Sequence, residues 1–190
     1  DNLPISTLST PIPSQRPQGY REIREKIRDI IVSTGMQEVI SYSLLGISDI
    51  EKSTPNLDST KLVRLANPMS EQQEYLRINM RSSILNTLSY NLHQTRHGMK
   101  LFEIGSIYLS RHKELPLERE VLIGVLAGQR WTDNWFDNAQ IMDIFDAKGV
   151  LEALFENLRI TASYENDDDR LFAKDNCAKI LHAGQVLGTI

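Results

Sequence analysis

With 190 residues, 41% apolar and 24% charged, the chain can bury a core of its own, removing roughly 70% of its unfolded surface from water without a metal or disulfides. Its net charge of −4 and isoelectric point near 5.6 exclude a domain that wraps nucleic acid by charge alone, because such binding needs clustered Lys and Arg to displace counterions from phosphates. The single cysteine, Cys177, excludes an internal disulfide framework, and no apolar run reaches the roughly 20 residues of a membrane helix.

These features predict a soluble, cytoplasmic protein with no membrane partner. The chain starts at Asp1 and stops at Ile190 within an apolar alternation, which reads as a piece of a longer polypeptide. Residues 1–19 carry Pro4, Pro11, Pro13 and Pro17 among many Ser and Thr, a composition that predicts an extended arm or linker. The domain proper is expected over residues 20–190.

From Tyr20 the period changes. Tyr20, Ile23, Ile27, Ile30, Ile31 and Thr34 share one helical face, with Arg21, Glu22, Arg24, Glu25, Lys26 and Arg28 on the others. Glu22 and Lys26 stand at i,i+4 in the favourable order, and Gly35 is the expected stop. MQEVISYSLL then alternates as a strand, SDIEKSTPNLDST is a polar loop or short helical turn, and KLVRLANP is a second strand closed at Asn67-Pro68. A helical turn over residues 70–74 leads towards a helix at 82–94 marked by Ile84, Leu85, Leu88 and Leu92.

Residues 101–109 alternate as a strand with Glu103 at its middle. A charged connection follows, and then VLIGVLAG, apolar on both faces as a central strand is. After the Trp-rich loop QRWTDNWFDNAQ, Asp143 is a good N-cap for a helix with Ile144, Val150, Leu151, Leu154, Phe155 and Leu158 on one face. Short strands near 161–165, 178–182 and 186–190 close the chain, the last two joined by the turn AGQ. Helices segregated from hairpin-connected strands predict an α+β fold on a mainly antiparallel sheet.

Several residues invite chemistry. His93 and His97 have the i,i+4 spacing of zinc-binding helices, but Gln94 stands where a metalloprotease has its glutamate and Gly98 follows at once, so they read as solvent-exposed. Asp167, Asp168 and Asp169 lack the Gly and distal Glu of a calcium loop and read as a solvated loop. Cys177 reads as a small buried hydrophobe. Neither phosphate-cradling glycine motif is present. Arg130, Trp131, Trp135 and Phe136 are the residue types that stack on bases or anchor protein interfaces, and the neighbouring Asp133 and Asp137 favour the interface or internal packing.

Two stretches carry a family resemblance. YREIREKIRDIIVSTGMQEVISYSLL resembles motif 1 of class II aminoacyl-tRNA synthetases, with Gly35, Met36, Glu38, Val39, Ser41 and Leu44 fitting and Tyr42 in place of the motif's proline. GMKLFEIGSIYL resembles motif 2, whose glutamate follows, at two residues' distance, an arginine that holds the ATP α-phosphate; here Leu101 takes that place. A leucine offers no charge to a phosphate, whereas the arginine fork supplies bidentate bonds. DNLP at the start, ANPMSEQQEYLR at 66–77, SYN ending at Asn91, LFEIG at 101–105 and MDIFDAKGVLEALF at 142–155 together resemble the catalytic-like core of the bacterial phenylalanine-tRNA ligase beta subunit. Where that family carries a His-Pro-Gly-like stretch this chain has AKDNCA, residues 173–178.

The resemblance implies a class II synthetase-like fold and no catalytic, metal-binding or cofactor-binding residues in this chain. It places ATP and magnesium in the whole ligase and catalysis in the alpha subunit. The implied partners are that subunit, in a heterotetramer of two alpha and two beta chains, and tRNA through the whole enzyme. Tyr20, Ile23, Ile27, Ile30 and Ile31, with parts of helix 82–94, form the expected subunit interface. Asn67, Arg77 and Glu103 form either a clustered vestige of the substrate pocket or independent surface residues. An active adenylate-forming or ligand-binding paralogue on the same frame and an RNA-binding module are the rival readings.

Overall fold

The computed structural model describes residues 19–94, 98–111, 114–130, 140–173 and 176–190. The expected arm therefore lies outside the described residues, apart from Gly19. Helix α1 (Gly19–Ser33) leads through Gly35, whose φ of +85° is the left-handed conformation that ends a helix at least cost with glycine. The Thr34 and Gly35 amides donate to the Ile31 and Val32 carbonyls and close its last turn.

Strands β1 (Gln37–Glu38), β5 (Met99–Leu109) and β6 (Leu117–Ala127) form one sheet in the order β1-β5-β6, with β1 parallel to β5 and β6 antiparallel to it. A second small sheet, β2 (Leu44–Leu45), β4 (Tyr75–Leu76) and β3 (Val63–Arg64), is antiparallel in the order β2-β4-β3. The third, β7 (Ser163–Asn166), β8 (Ala178–His182) and β9 (Gln185–Thr189), is an antiparallel meander whose last turn carries positive φ at Ala183 and Gly184. Helices α2 (Ile47–Ser53), α3 (Arg81–Leu92) and α4 (Ile144–Leu158) complete the α+β architecture predicted from the sequence.

The side-chain alternation of β5 divides the core in two. Phe102 and Ile104 face α1 and α4 and are buried with Ile31, Met36 and Leu154. Leu101 faces the opposite way, beneath Ile84 and Leu88 of α3. The Asp143 side chain accepts the Phe145 and Asp146 amides at 2.8 and 3.3 Å, and Asp146 accepts the Asp143 amide at 2.8 Å, so the expected cap of α4 is a reciprocal capping box.

The structure corrects four expectations. The single strand expected over 36–45 is two, because the chain leaves its parallel pairing with β5 after Val39 and joins β4 instead; Ile40 and Tyr42 between them are 93% and 80% exposed. Strand β4 follows the expected turn, which is a 3-10 turn at Glu71–Gln73. Among the described residues β5 is the central strand and β6 the edge, leaving Leu122 part-exposed where a central strand was expected. On α1 the ion pair is Arg28–Glu25 at 2.5 Å rather than Glu22–Lys26, since Arg28 also reaches Glu38 on β1 at 2.7 Å. Those two acceptors raise the Arg28 guanidinium well above its usual value.

Candidate functional site

Glu103 follows Leu101 on the α3 face of β5, and the chain brings Arg77 to it from the end of β4. The Arg77 amide donates to the Ser43 carbonyl at 2.9 Å and its carbonyl accepts the Tyr108 amide at 2.9 Å, so its backbone is fixed between the two sheets. Its side chain runs inward. Nε donates to the Ser106 carbonyl at 2.8 Å, and Nη1 donates to Ser41 Oγ at 2.9 Å, to Glu103 Oε1 at 3.0 Å and to Ser83 Oγ at 3.5 Å. The Ser41 hydroxyl donates in turn to Glu103 Oε2 at 2.6 Å.

Arg77 and Glu103 are each 2% exposed. Each carboxylate oxygen accepts one hydrogen bond, Oε1 from Arg77 and Oε2 from Ser41, so the charge of Glu103 is paired inside the protein rather than solvated. Asn67, by contrast, lies on the surface and takes no part. Ser41 and Ser83 occupy the cluster in its place. Ser41 stands out in the sequence only as one of the residues that fit motif 1, and nothing in the local sequence marks Ser83.

Leu101, at the position matching the motif 2 arginine, is 5% exposed. Ile84 and Leu88 of α3 pack against it, and Glu103, the next residue on this face of β5, is paired with Arg77.

On the opposite face a groove of about 240 Å³ opens between α1 and β6, lined by Tyr20, Ile23, Ile27, Ile104, Val121 and Leu122, with Arg24 and Glu120 paired at 3.0 Å. Tyr20 and Ile23 are 62% and 56% exposed. Ile27 and Ile30 are half-buried, and Ile31 belongs to the core. On α3, Leu85 and Leu92 are also exposed.

The remaining candidates sit apart from both places. His93 is exposed, with Nδ1 2.6 Å from the Ser89 carbonyl; its partner His97 lies outside the described residues, as do Trp131, Asp133, Trp135, Phe136 and Asp137. The acidic run expected to be solvated at 167–169 is ion-paired at two of its residues, while Asp168 is exposed as expected. Asp167 pairs with Lys179 at 2.8 Å and Asp169 with Arg81 at 2.6 Å, because β8 and the start of α3 present cations to it. Arg81 also lies over the Phe172 ring, 5.7 Å from its centroid. Cys177 is buried, as expected. In 173–178, Lys174 and Asp175 lie outside the described residues.

The family described as Phenylalanyl tRNA synthetase beta chain CLM domain matches residues 3–190. The chain is 29% identical over 194 residues to a phenylalanine-tRNA ligase beta subunit of Oceanobacillus iheyensis, covering 99% of this chain and 24% of that protein. It is 30% identical over 193 residues to the subunit of that name from Bacillus cereus, covering 100% and 24%. It is 31% identical over 169 residues to the one from Dehalococcoides mccartyi, covering 89% and 21%. The chain thus spans about a quarter of the length of the curated relatives it matches. Among solved structures, a pyrrolysyl tRNA synthetase of Desulfitobacterium hafniense superposes with a TM-score of 0.67 at 13% identity, covering 90% of this chain and 55% of that one. At that identity the likeness shows the fold, which is the class II synthetase fold expected from the sequence.

Proposed function

Because the chain belongs to the family of phenylalanyl-tRNA synthetase beta chain CLM domains, we propose that it is a non-catalytic, class II synthetase-like core of a phenylalanine-tRNA ligase beta subunit. In that role it supports assembly with a catalytic alpha subunit for the ATP-dependent charging of tRNA with phenylalanine. The observation that carries the reading lies on one face of β5: a buried leucine replaces the phosphate-binding arginine, and the retained glutamate is neutralised by Arg77. ATP and magnesium then act in the whole cytoplasmic enzyme, a heterotetramer of two alpha and two beta chains, and not in this domain. Among the described residues no helix is long and apolar enough to cross a membrane.

The exposed apolar face of α1 supports the assembly role. Tyr20 and Ile23, with the half-buried Ile27 and Ile30 alongside, offer a strip beside the Arg24–Glu120 pair, and a stable contact built around it buries about 1,000 Å² or more. Co-purification with the alpha subunit tests this. A complex that dissociates when Ile23 is replaced by Asp is expected; a chain that ignores the alpha subunit at micromolar concentration overturns the assembly role.

A further inference from the structure

The surroundings of the Arg77 guanidinium resemble a ligand site more than a simple ion pair. Its planar fork meets a different wall on each side: the Ser106 carbonyl at Nε, and Glu103, Ser41 and Ser83 at Nη1. Nη2 rests against the backbone of Gly105, where an added Cβ would stand 2.3 Å from it, 3.0 Å from Met80 Cε and 3.1 Å from Glu103 Oε1. Only a residue without a side chain leaves room for the flat cation there. Glu103, Ser83 and Met80 are nearly fully buried. The backbone of Arg77 is held separately by Ser43 and Tyr108, so removing its side chain leaves the walls in place around an unpaired carboxylate.

We infer that Glu103, Ser41, Ser83, Gly105 and the Ser106 carbonyl form a receptor for a planar guanidinium cation, which the domain fills with its own Arg77 as a tethered ligand. The chemistry selects guanidinium over ammonium. The acceptors lie at two separate nitrogens of one plane, Nε at the Ser106 carbonyl and Nη1 at Glu103 and Ser41, positions that the single nitrogen of a compact, strongly hydrated ammonium cannot fill together. The receptor is closed to free metabolites for as long as the tether occupies it. Cutting the tether exposes a site for small alkylguanidinium ions. This inference stands without the proposed subunit role, since its test involves no alpha subunit, ATP or tRNA.

The test is the thermal midpoint of the full chain carrying Arg77→Ala, titrated with ethylguanidinium, which restores the atoms the substitution removes. A saturable rise is expected, about 3–6 °C at ten times the dissociation constant for a domain of this size. The unsubstituted chain and the Arg77→Ala/Glu103→Gln double variant should show no such rise, and ethylammonium should not substitute. If Arg77→Ala does not fold unaided, refolding it in ethylguanidinium should recover soluble, folded chain. An equal response of all chains, no response of Arg77→Ala, or equal rescue by ethylammonium overturns the receptor. A second readout is steric: Gly105→Ala should cost more stability beside Arg77 than in the Arg77→Ala background, where the 2.3 Å clash is gone and only the contacts to Met80 and Glu103 remain. Additive costs in the two backgrounds contradict the inference.

Discussion

Arg77 Nη1 donates to Glu103 Oε1 at 3.0 Å with both residues 2% exposed, which links the end of β4 to the middle of β5 through a buried ion pair. Removing one partner of such a pair strands a charge in the core, and that typically costs about 3–5 kcal/mol. Glu103→Ala should therefore lower the urea midpoint sharply at constant denaturant slope. Replacing both residues by leucine should recover most of the loss, because two apolar side chains leave no charge unpaired. Equal loss in the single and double variants would show that the bonds to Ser41, Ser83 and Ser106 matter more than the charges.

The capping box of α4 predicts a smaller effect. Asp143→Ala removes the acceptor of the Phe145 and Asp146 amides and should destabilise by about 1 kcal/mol. Asp143→Ser, which keeps a capping oxygen, should cost only a few tenths of that. Both are read from urea unfolding of the full chain.

Acid should weaken the fold at two identified carboxylates. Asp169 is held below its ordinary value of 3.8 by the Leu171 amide and the Arg81 guanidinium, and Asp146 below the same value by Arg130 and the Asp143 amide. A depressed folded-state value means that the unfolded chain binds the proton first as pH falls. The stabilisation is complete above 3.8 and is lost as pH drops through the lower folded-state values. Asp169→Asn should flatten the dependence of the unfolding midpoint on pH in that acid range and leave its slope near neutrality unchanged.

The α1 strip predicts a separation of binding from stability. Ile23 is 56% exposed, so Ile23→Asp should leave the unfolding midpoint nearly unchanged. Its affinity for the alpha subunit should fall at least tenfold, equivalent to about 1.4 kcal/mol. Titration of labelled alpha subunit with the two chains measures the ratio, and equal affinities would move the contact elsewhere.

What the sequence disclosed depended on the length of each signal. Helices α1, α3 and α4 and strand β5 run for 11 to 15 residues, and each shows several repeats of its period. Strands β1, β2, β3 and β4 are two residues each, too short for any period, and their positions follow from where β5 and the Ser43 carbonyl offer partners. Position 40 is an isoleucine that reads as core in an alternation, yet it is exposed because the chain changes sheets at that point.

The site was legible in the same uneven way. Glu103 stood out as a carboxylate among apolar neighbours, and the absence of arginine at position 101 was visible in the motif. That Arg77 would reach Glu103 across 26 residues, and Ser41 across 62, depended on tertiary register that no local pattern encodes. Asn67 drew attention as a polar residue adjoining an apolar strand, but it precedes Pro68, which marks a turn, and turns lie at the surface where it is found.

We propose that this domain has no working nucleotide site of its own, a reading supported by the burial of Leu101 and of the Arg77–Glu103 pair on one face of β5. ATP-pyrophosphate exchange by the full chain with phenylalanine and magnesium, in the absence of any alpha subunit, tests it most directly. No exchange above the protein-free background is predicted; exchange that depends on phenylalanine and disappears with Glu103→Ala would contradict it.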